Sequence, residues 1–346
     1  MSRGITFSLL DNRAMSLPMI KALLESCHLT VDQQIDLLVV ASDSEEKAIA
    51  CAGLYHNIVK CVAIAPEYRG NNLTSQLIDQ VIQLAADKGI FHLFLYTKPE
   101  NVAFFNACGF YPLVVISGLV AFMENTPVGI NKYCQALEQQ RAAEEGRIGG
   151  IVMNANPFTL GHQHLVEFAS QHCDHVYIFV VSEESSLFSF SDRFRLVKQG
   201  TAKYSNVTLL PCSEYIVSQA TFPSYFLKEK ADVDHAITGI DLLLFRNYIA
   251  PALKIKTRFV GTEPFSPITE KYNQGMKYWL SQYNSTMPAI EVIEIERKQQ
   301  AGTAISATAV RHFLANDQLE KTEALVPETT WKFLKEKFSK KRKEAV

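Results

Sequence analysis

The chain has no Cys-x-x-Cys pair, and its seven cysteines (Cys27, Cys51, Cys61, Cys108, Cys134, Cys173 and Cys212) are scattered and odd in number. That spacing excludes a zinc ribbon or a disulfide scaffold and fits a reducing compartment with mostly buried thiols. No apolar run reaches the roughly 18 residues that a membrane-spanning helix needs. The longest, Leu113 to Met123, reads as one strand or two. No cleavable leader is visible at the start, so a soluble cytoplasmic protein is expected. An excess of charge of one sign is also missing. The formal net charge is -2, which argues against nucleic-acid or membrane binding as the main activity.

What is present is apolar bulk. The chain has 346 residues, 47% of them hydrophobic, enough for a large core and, by length, two domains. Up to residue 125, short strands and helices mix. Leu37 to Ala41, Ala48 to His56 and Lys60 to Ala65 read as strands, the first two separated by the polar turn Asp43 to Glu46. An amphipathic helix from Thr74 to Lys88 places Leu77, Val81, Ile82 and Ala85 at helical spacing. Phe91 to Tyr96 reads as a strand and Asn101 to Ala107 as a short helix. Asn131 to Gly146 is polar and rich in Gln and Glu, and is expected to be a helical connector.

From Ile148 the pattern alternates. Strands are expected at Ile148–Met153, Val176–Ser182, Val207–Pro211, Thr257–Gly261 and Ala289–Ile295. Helices are expected at Leu160–His172, Ser191–Tyr204 and Leu242–Leu253, with Ala236–Thr238 as a separate short piece. Strands joined by helices predict a parallel sheet covered on both faces, with its ligand at the carboxyl ends of the strands. The expected fold class is α/β. An α+β domain occupies residues 1–125, a connector 126–147, and a Rossmann-like parallel-sheet domain 148–346. The basic tail from Lys335 to Lys343 reads as a solvated last helix.

One strand end stands out. Ile148–Met153 runs into Asn154-Ala155-Asn156-Pro157-Phe158-Thr159-Leu160-Gly161-His162, where a turn opens a helix. A helix start offers unpaired N–H groups and a partial positive charge, so this corner suits the phosphates of a nucleotide. Gly161 would permit close approach to the backbone, and His162 can donate a hydrogen bond. Far downstream, Ile305-Ser306-Ala307-Thr308-Ala309-Val310-Arg311 opens a second helix with two hydroxyls and a guanidinium, a second anion cradle. His164 reads as structural. Arg193 and Arg195 could reach phosphate or serve the surface, and Asp192 reads as a helix N-cap.

The pair of motifs resembles the signatures of the nucleotidylyltransferase superfamily, a Thr- or His-x-Gly-His and an Ile-Ser-Ser-Thr-x-x-Arg/Lys. The resemblance implies in-line attack on the α-phosphate of a nucleoside triphosphate, with Mg²⁺ and mostly by positioning and charge stabilisation. It implies that His162 stabilises the α-phosphate, that Thr159 stands where many members carry a first His, and that Ser306, Thr308 and Arg311 hold the β- and γ-phosphates. Asn154, Asn156, Pro157, Phe158 and Gly161 would belong to the same nucleotide-binding set, with Gly261 and Glu263 as a lining loop.

In the first half, Val62 to Thr74, with Pro66-Glu67-Tyr68-Arg69-Gly70-Asn71-Asn72 at its centre, resembles the pyrophosphate loop of the GNAT acetyltransferases. Asn101 to Phe110 resembles a later segment of that family. Arg69 matches the pattern, while Asn72 and Thr74 replace its glycines. Phe105 stands where a proton-donating Tyr is frequent, and it cannot donate. The two halves together, with Arg258-Phe259-Val260-Gly261-Thr262-Glu263-Pro264, resemble the [citrate (pro-3S)-lyase] ligase family over nearly the whole chain. That implies ATP and acetate as substrates, an acetyl-adenylate intermediate, and transfer to the CoA-derived thiol arm of the acyl carrier subunit of citrate lyase, with release of AMP. The rival readings are an adenylyltransferase acting on pantetheine phosphate or nicotinamide mononucleotide, and a noncatalytic sensor of nucleotide or acyl-CoA.

Overall fold

The computed structural model describes residues 4–32, 34–70, 72–142, 145–182, 187–216, 222, 225–227, 229–262, 267–300 and 303–344. The chain divides into two compact units. One combines Met1–Lys132 with Val217–Ile240, the other Tyr133–Ile216 with Asp241–Val346.

The first unit is a seven-stranded sheet. Its strands are β1 (Thr6–Asp11), β2 (Leu37–Ser42), β3 (Ala48–Tyr55), β4 (Ile58–Ile64), β5 (Phe94–Thr97), β6 (Tyr111–Ile116) and β7 (Val120–Glu124), in the order β1-β2-β3-β4-β5-β7-β6. The helices α1 (Pro18–Ser26), α2 (Leu73–Asp87) and α3 (Val102–Ala107) belong to it. β3 is interior to the sheet and reads AIACAGLY, the near-continuous apolar run of a strand covered on both faces. α2 lays Leu73, Leu77, Ile78, Val81 and Ala85 onto the sheet among Val39, Ile49, Leu54 and Val59, as its helical spacing predicts. β4 and β5 are parallel and pair only at Ile58↔Phe94 and Val59↔Leu95.

The segment 217–240 joins this unit through specific contacts. Phe222 sets its ring against Tyr96 at 5.1 Å. The carbonyl of Tyr225 accepts both the N–H and the hydroxyl of Thr30, at 3.1 and 3.2 Å. Nothing in the sequence pattern announces that a stretch so far along the chain packs with its beginning.

Next come α4 (Gly129–Gln139), β8 (Ile148–Met153), α5 (Leu160–His172), β9 (His175–Val180), α6 (Phe190–Thr201), β10 (Val207–Pro211), α7 (Lys230–Leu244), α8 (Ala250–Leu253), β11 (Thr257–Gly261), α9 (Pro267–Lys277) and β12 (Glu291–Ile295). The short strands β13 (Gln299–Gln300) and β14 (Thr303–Ala304) pair with each other, and α10 (Ala307–Ala315) and α11 (Glu328–Glu344) close the chain. The second unit is built on a parallel sheet in the order β10-β9-β8-β11-β12. α5 and α6 bury Val166, Ala169, Leu196 and Val197 against Ile151, Ile178 and Phe259. The strand that carries the Asn-Pro turn is therefore central, and its carboxyl end opens where a parallel sheet binds ligands.

Several local expectations shift. Ala236–Thr238 is interior to α7, because Ala236, Ile240 and Leu244 continue one buried face at helical spacing. The connector helix ends at Gln139, and the Arg141 guanidinium beyond it donates to the Ala252 carbonyl at 2.7 and 3.0 Å. β5 begins at Phe94 because Phe91 is exposed and the Leu93 N–H is taken by the Asn125 side chain. The run Leu113 to Met123 resolves into parts of two strands, β6 and β7. All seven cysteines are free. Among the described residues no helix is long and apolar enough to cross a membrane.

Candidate active site at the carboxyl end of the parallel sheet

β8 ends at Met153, and the chain turns through Ala155, at φ +49°, and a cis Asn156–Pro157 peptide. Phe158 follows and is wholly buried. A side chain at Gly200 would meet its ring at 2.4 Å, so α6 can lie over Phe158 only with glycine there. This anchors the turn from below and fixes where α5 starts.

Thr159 caps α5, and the cap holds His162. The Thr159 hydroxyl accepts the His162 N–H at 3.4 Å, and the Thr159 N–H donates to His162 Nδ1 at 3.0 Å. The hydroxyl also lies 2.8 Å from Nδ1 and donates to it. An Nδ1 that accepts carries no proton, so the neutral ring carries it on Nε2. The ring stacks on Phe158, centroids 5.7 Å apart and planes at 19°. Burial, then the Arg297 cation, push the imidazole down to about 4. At neutral pH His162 is therefore an uncharged N–H donor in a fixed orientation. Thr159 itself is only 1% exposed.

The sign of this shift sets a pH dependence. The folded value lies below the ordinary value of about 6.5, so the unfolded chain binds a proton first as pH falls. Stability linked to His162 is fully present above about pH 6.5 and is lost as pH falls through the folded value of about 4. An NMR titration of the His162 ring is expected to keep the neutral Nε2–H signature at pH 5.5. An inflection near the ordinary imidazole value would contradict the half-buried, capped ring.

The second motif sits directly against the first. Ser306 caps α10 by accepting the Ala309 N–H at 3.1 Å. Arg311, one turn in, donates through Nη1 to the Asn156 carbonyl at 2.8 Å and through Nη2 to the Thr308 hydroxyl at 3.0 Å. The two motifs also come close at Gly161, where an added Cβ would lie 3.0 Å from the Ile305 carbonyl oxygen. The atom that comes up to Gly161 is thus protein backbone from the other motif, where the sequence suggested phosphate. Gly161→Ala is expected to push the α10 start away by a few tenths of an ångström. Activity should then fall about tenfold, since small misplacements at a site are costly. Unchanged activity would mean that the spacing of the two helix starts is unimportant.

Asn154 and Asn156 divide their roles. Asn156 is buried and its side-chain carbonyl accepts the Phe188 N–H at 3.4 Å. Asn154 is exposed at the strand end, and Arg193 donates to its carbonyl at 2.9 Å and to its Oδ1 at 3.0 Å. Arg193 is 0% exposed and also reaches the carbonyls of Val181 and Phe188. It braces the ends of β8 and β9. Arg195 is half exposed and pairs with Asp192 at 3.1 Å. The N-cap of α6 is Ser189, which accepts the Asp192 N–H at 3.2 Å, and not Asp192 as its position suggested.

Gly261 ends β11, and its carbonyl accepts from Asn273 at 3.1 Å. Glu263 lies outside the described residues. Arg297 is a residue that the sequence reading missed. Its Nε donates to the Thr262 carbonyl and its N–H to the Thr262 hydroxyl at 3.3 Å. Next to it, the Lys298 carbonyl accepts the Ile305 N–H at 3.0 Å, so Arg297 sits beside the second motif. The available signal was a basic pair just past a strand end.

In the first unit Asn72 takes φ +55° at the start of α2, the left-handed conformation a glycine would give. Arg69 turns back, its Nε on the Ile64 carbonyl at 3.2 Å. Thr74 is buried, and Phe105 is 6% exposed within the apolar core of that unit.

The family description Citrate lyase ligase C-terminal domain fits residues 148–334, and the Acetyltransferase (GNAT) family description fits residues 17–110. The chain is 43% identical over 328 residues to the [Citrate [pro-3S]-lyase] ligase of Haemophilus influenzae, covering 95% of this chain and 98% of the relative. It is 43% identical over 317 residues to that of Escherichia coli, covering 92% and 90%. A phosphopantetheine adenylyltransferase of Streptococcus agalactiae is 26% identical over 154 residues, covering 42% of this chain and 92% of its own.

Proposed function

The chain belongs to the citrate lyase ligase family, and from that premise we propose how its two units carry out an AMP-forming acid–thiol ligation. The enzyme uses ATP to activate acetate. A carboxylate oxygen of acetate bonds to the α-phosphorus, the bond from that phosphorus to the bridging oxygen breaks, and pyrophosphate leaves. The prosthetic-group thiol of the citrate lyase acyl carrier protein then attacks the acyl carbon of acetyl-adenylate. AMP leaves, and the thiol proton is released.

His162 donates from Nε2 to a non-bridging oxygen of the α-phosphate, where negative charge builds up in the transition state. Thr159 acts by positioning, since its backbone and hydroxyl fix the ring. Ser306, Thr308 and Arg311 take the β- and γ-phosphates at the start of α10. Arg297 adds positive charge beside them. Asn154, Asn156, Pro157, Phe158, Gly161 and Gly261 shape the nucleotide-binding walls, with Glu263 on the adjoining loop. Mg²⁺ enters as part of the substrate MgATP. Phosphate oxygens of the substrate are its natural ligands. The first unit receives the prosthetic arm without chemistry of its own, in keeping with Phe105 in its core.

The observation that carries the reading is the reach of the match. The ligases match across both units, whereas the adenylyltransferase covers 42% of the chain, which leaves the GNAT-like half unaccounted for. The test is product analysis with ATP, acetate and the reduced carrier. Acetylated carrier and AMP in equal amounts are expected. A dinucleotide product from a phosphorylated acceptor, with no acetylated carrier, would replace the ligase by an adenylyltransferase.

A further inference from the structure

Arg258 is an unusual residue for the middle of a sheet. It is the second residue of β11, in register with Gly150 of β8 and Val292 of β12. Its neighbour Phe259 packs into the core with Val166 and Ala169 of α5. By strand alternation Arg258 points to the opposite face, where its guanidinium lies 4.5 Å from the centre of the Phe245 ring. The residue is 3% exposed, and among the described residues its Nη1 meets no hydrogen-bond acceptor. A buried guanidinium N–H without an acceptor is costly, so a site that keeps one is built for an anion that arrives later.

Its surroundings say which anion. Burial lowers the guanidinium from its ordinary value, against an opposing pull from Tyr272, Asp241 and Cys212; burial raises the phenol and the thiol, so neither carries a charge at neutral pH. Asp241 is close, yet its Oδ2 is engaged by the Tyr272 hydroxyl at 2.5 Å. Cys212 follows β10, and its N–H bonds the Val180 carbonyl at 2.9 Å. The adjoining Val181 carbonyl is held by Arg193, which also holds Asn154. Arg258 shares its face of the sheet with Gly150, where an added Cβ would meet the Phe245 ring at 3.2 Å, and alternation along β8 carries that face through Val152 to Asn154 at the strand end. An apolar wall with one guanidinium N–H suits a small carboxylate with a short alkyl group, and offers little to a polyphosphate.

We propose that Arg258 holds the carboxylate of the acid substrate, with Phe245 and Cys212 against its methyl group. One carboxylate oxygen accepts from Nη1 and the other faces the α-phosphorus, on the far side from the departing pyrophosphate. Tyr272 is a positioning residue that keeps Asp241 from taking Nη1. The inference rests on the proposed acetate activation and supplies the acid pocket for it.

The test is acetate-dependent exchange of labelled pyrophosphate into ATP by the full-length enzyme, with KM for acetate and for ATP measured separately. Arg258→Gln is expected to raise the KM for acetate about a hundredfold, the scale of lost charge-assisted hydrogen bonding, and to leave the KM for ATP within about twofold. Tyr272→Phe frees Asp241 Oδ2 to compete for Nη1 and should raise the KM for acetate about tenfold, again without change for ATP. If Arg258→Gln does not fold, Tyr272→Phe decides. An unchanged acetate KM in a folded variant, or an equal rise in both KM values, overturns the assignment of Arg258 alone. Absence of exchange in the wild-type enzyme overturns the acetate reading itself, and this assignment with it.

Discussion

His162→Ala is expected to lower acetate-dependent ATP–pyrophosphate exchange by about a thousandfold, as loss of one preorganised donor to a developing oxyanion does. The geometry makes the donor unusually well defined. Nδ1 is occupied by the Thr159 N–H, so only Nε2 can donate, and the ring lies flat on the buried Phe158. Burial and the Arg297 cation hold it neutral, so its contribution is a directed N–H and not a full charge. The same cap gives the substitution a structural cost, because alanine leaves the Thr159 N–H without its acceptor. That cost is about 1 kcal/mol, or a few degrees of Tm. His162→Asn separates the two effects. A short carboxamide can accept from Thr159 and restore the cap but cannot reach as far as Nε2, so stability should recover and activity should not. Near-wild-type exchange in a folded His162→Ala enzyme would remove this residue from the mechanism.

Arg311→Lys should be almost as damaging, with kcat/KM for ATP lower by about a thousandfold. The guanidinium performs two tasks at once. One arm bonds the Asn156 carbonyl, 155 positions away in sequence, and the other bonds Thr308. It thereby sets the distance between the two helix starts, and in the proposed reading its remaining N–H groups face phosphate. An ammonium can make either contact but not both in one plane, so the substitution keeps the charge and loses the geometry. Arg311 is also half-buried, and desolvation lowers it from its ordinary value, so an ammonium placed there would be poorly hydrated. The variant should bind ATP weakly and melt earlier. Steady-state kinetics within tenfold of wild type would show that charge alone suffices.

Much of this site was legible in the sequence because its two halves are local. A capped helix start after a strand is written in consecutive residues, and Asn154 to His162 and Ile305 to Arg311 each carry the full pattern. The structure adds what consecutive residues cannot encode. Gly161 touches the Ile305 carbonyl, and Arg311 reaches the Asn156 carbonyl. Thr159 turned out to be a buried holder of His162 because the capping box depends on side-chain direction, not on residue type alone. Arg297 was missed because it lies in an irregular stretch after a strand. The packing of 217–240 with the first unit depends on contacts such as Phe222 with Tyr96 that leave no periodic trace.

The central claim is that the clamp made by these two helix starts forms an acyl-adenylate. The most direct measurement is exchange of labelled pyrophosphate into ATP by the wild-type enzyme, with no carrier protein added. Label should enter ATP when acetate is present and stay out when it is absent. Exchange with no carboxylate at all, or none with any carboxylate offered, would contradict the account.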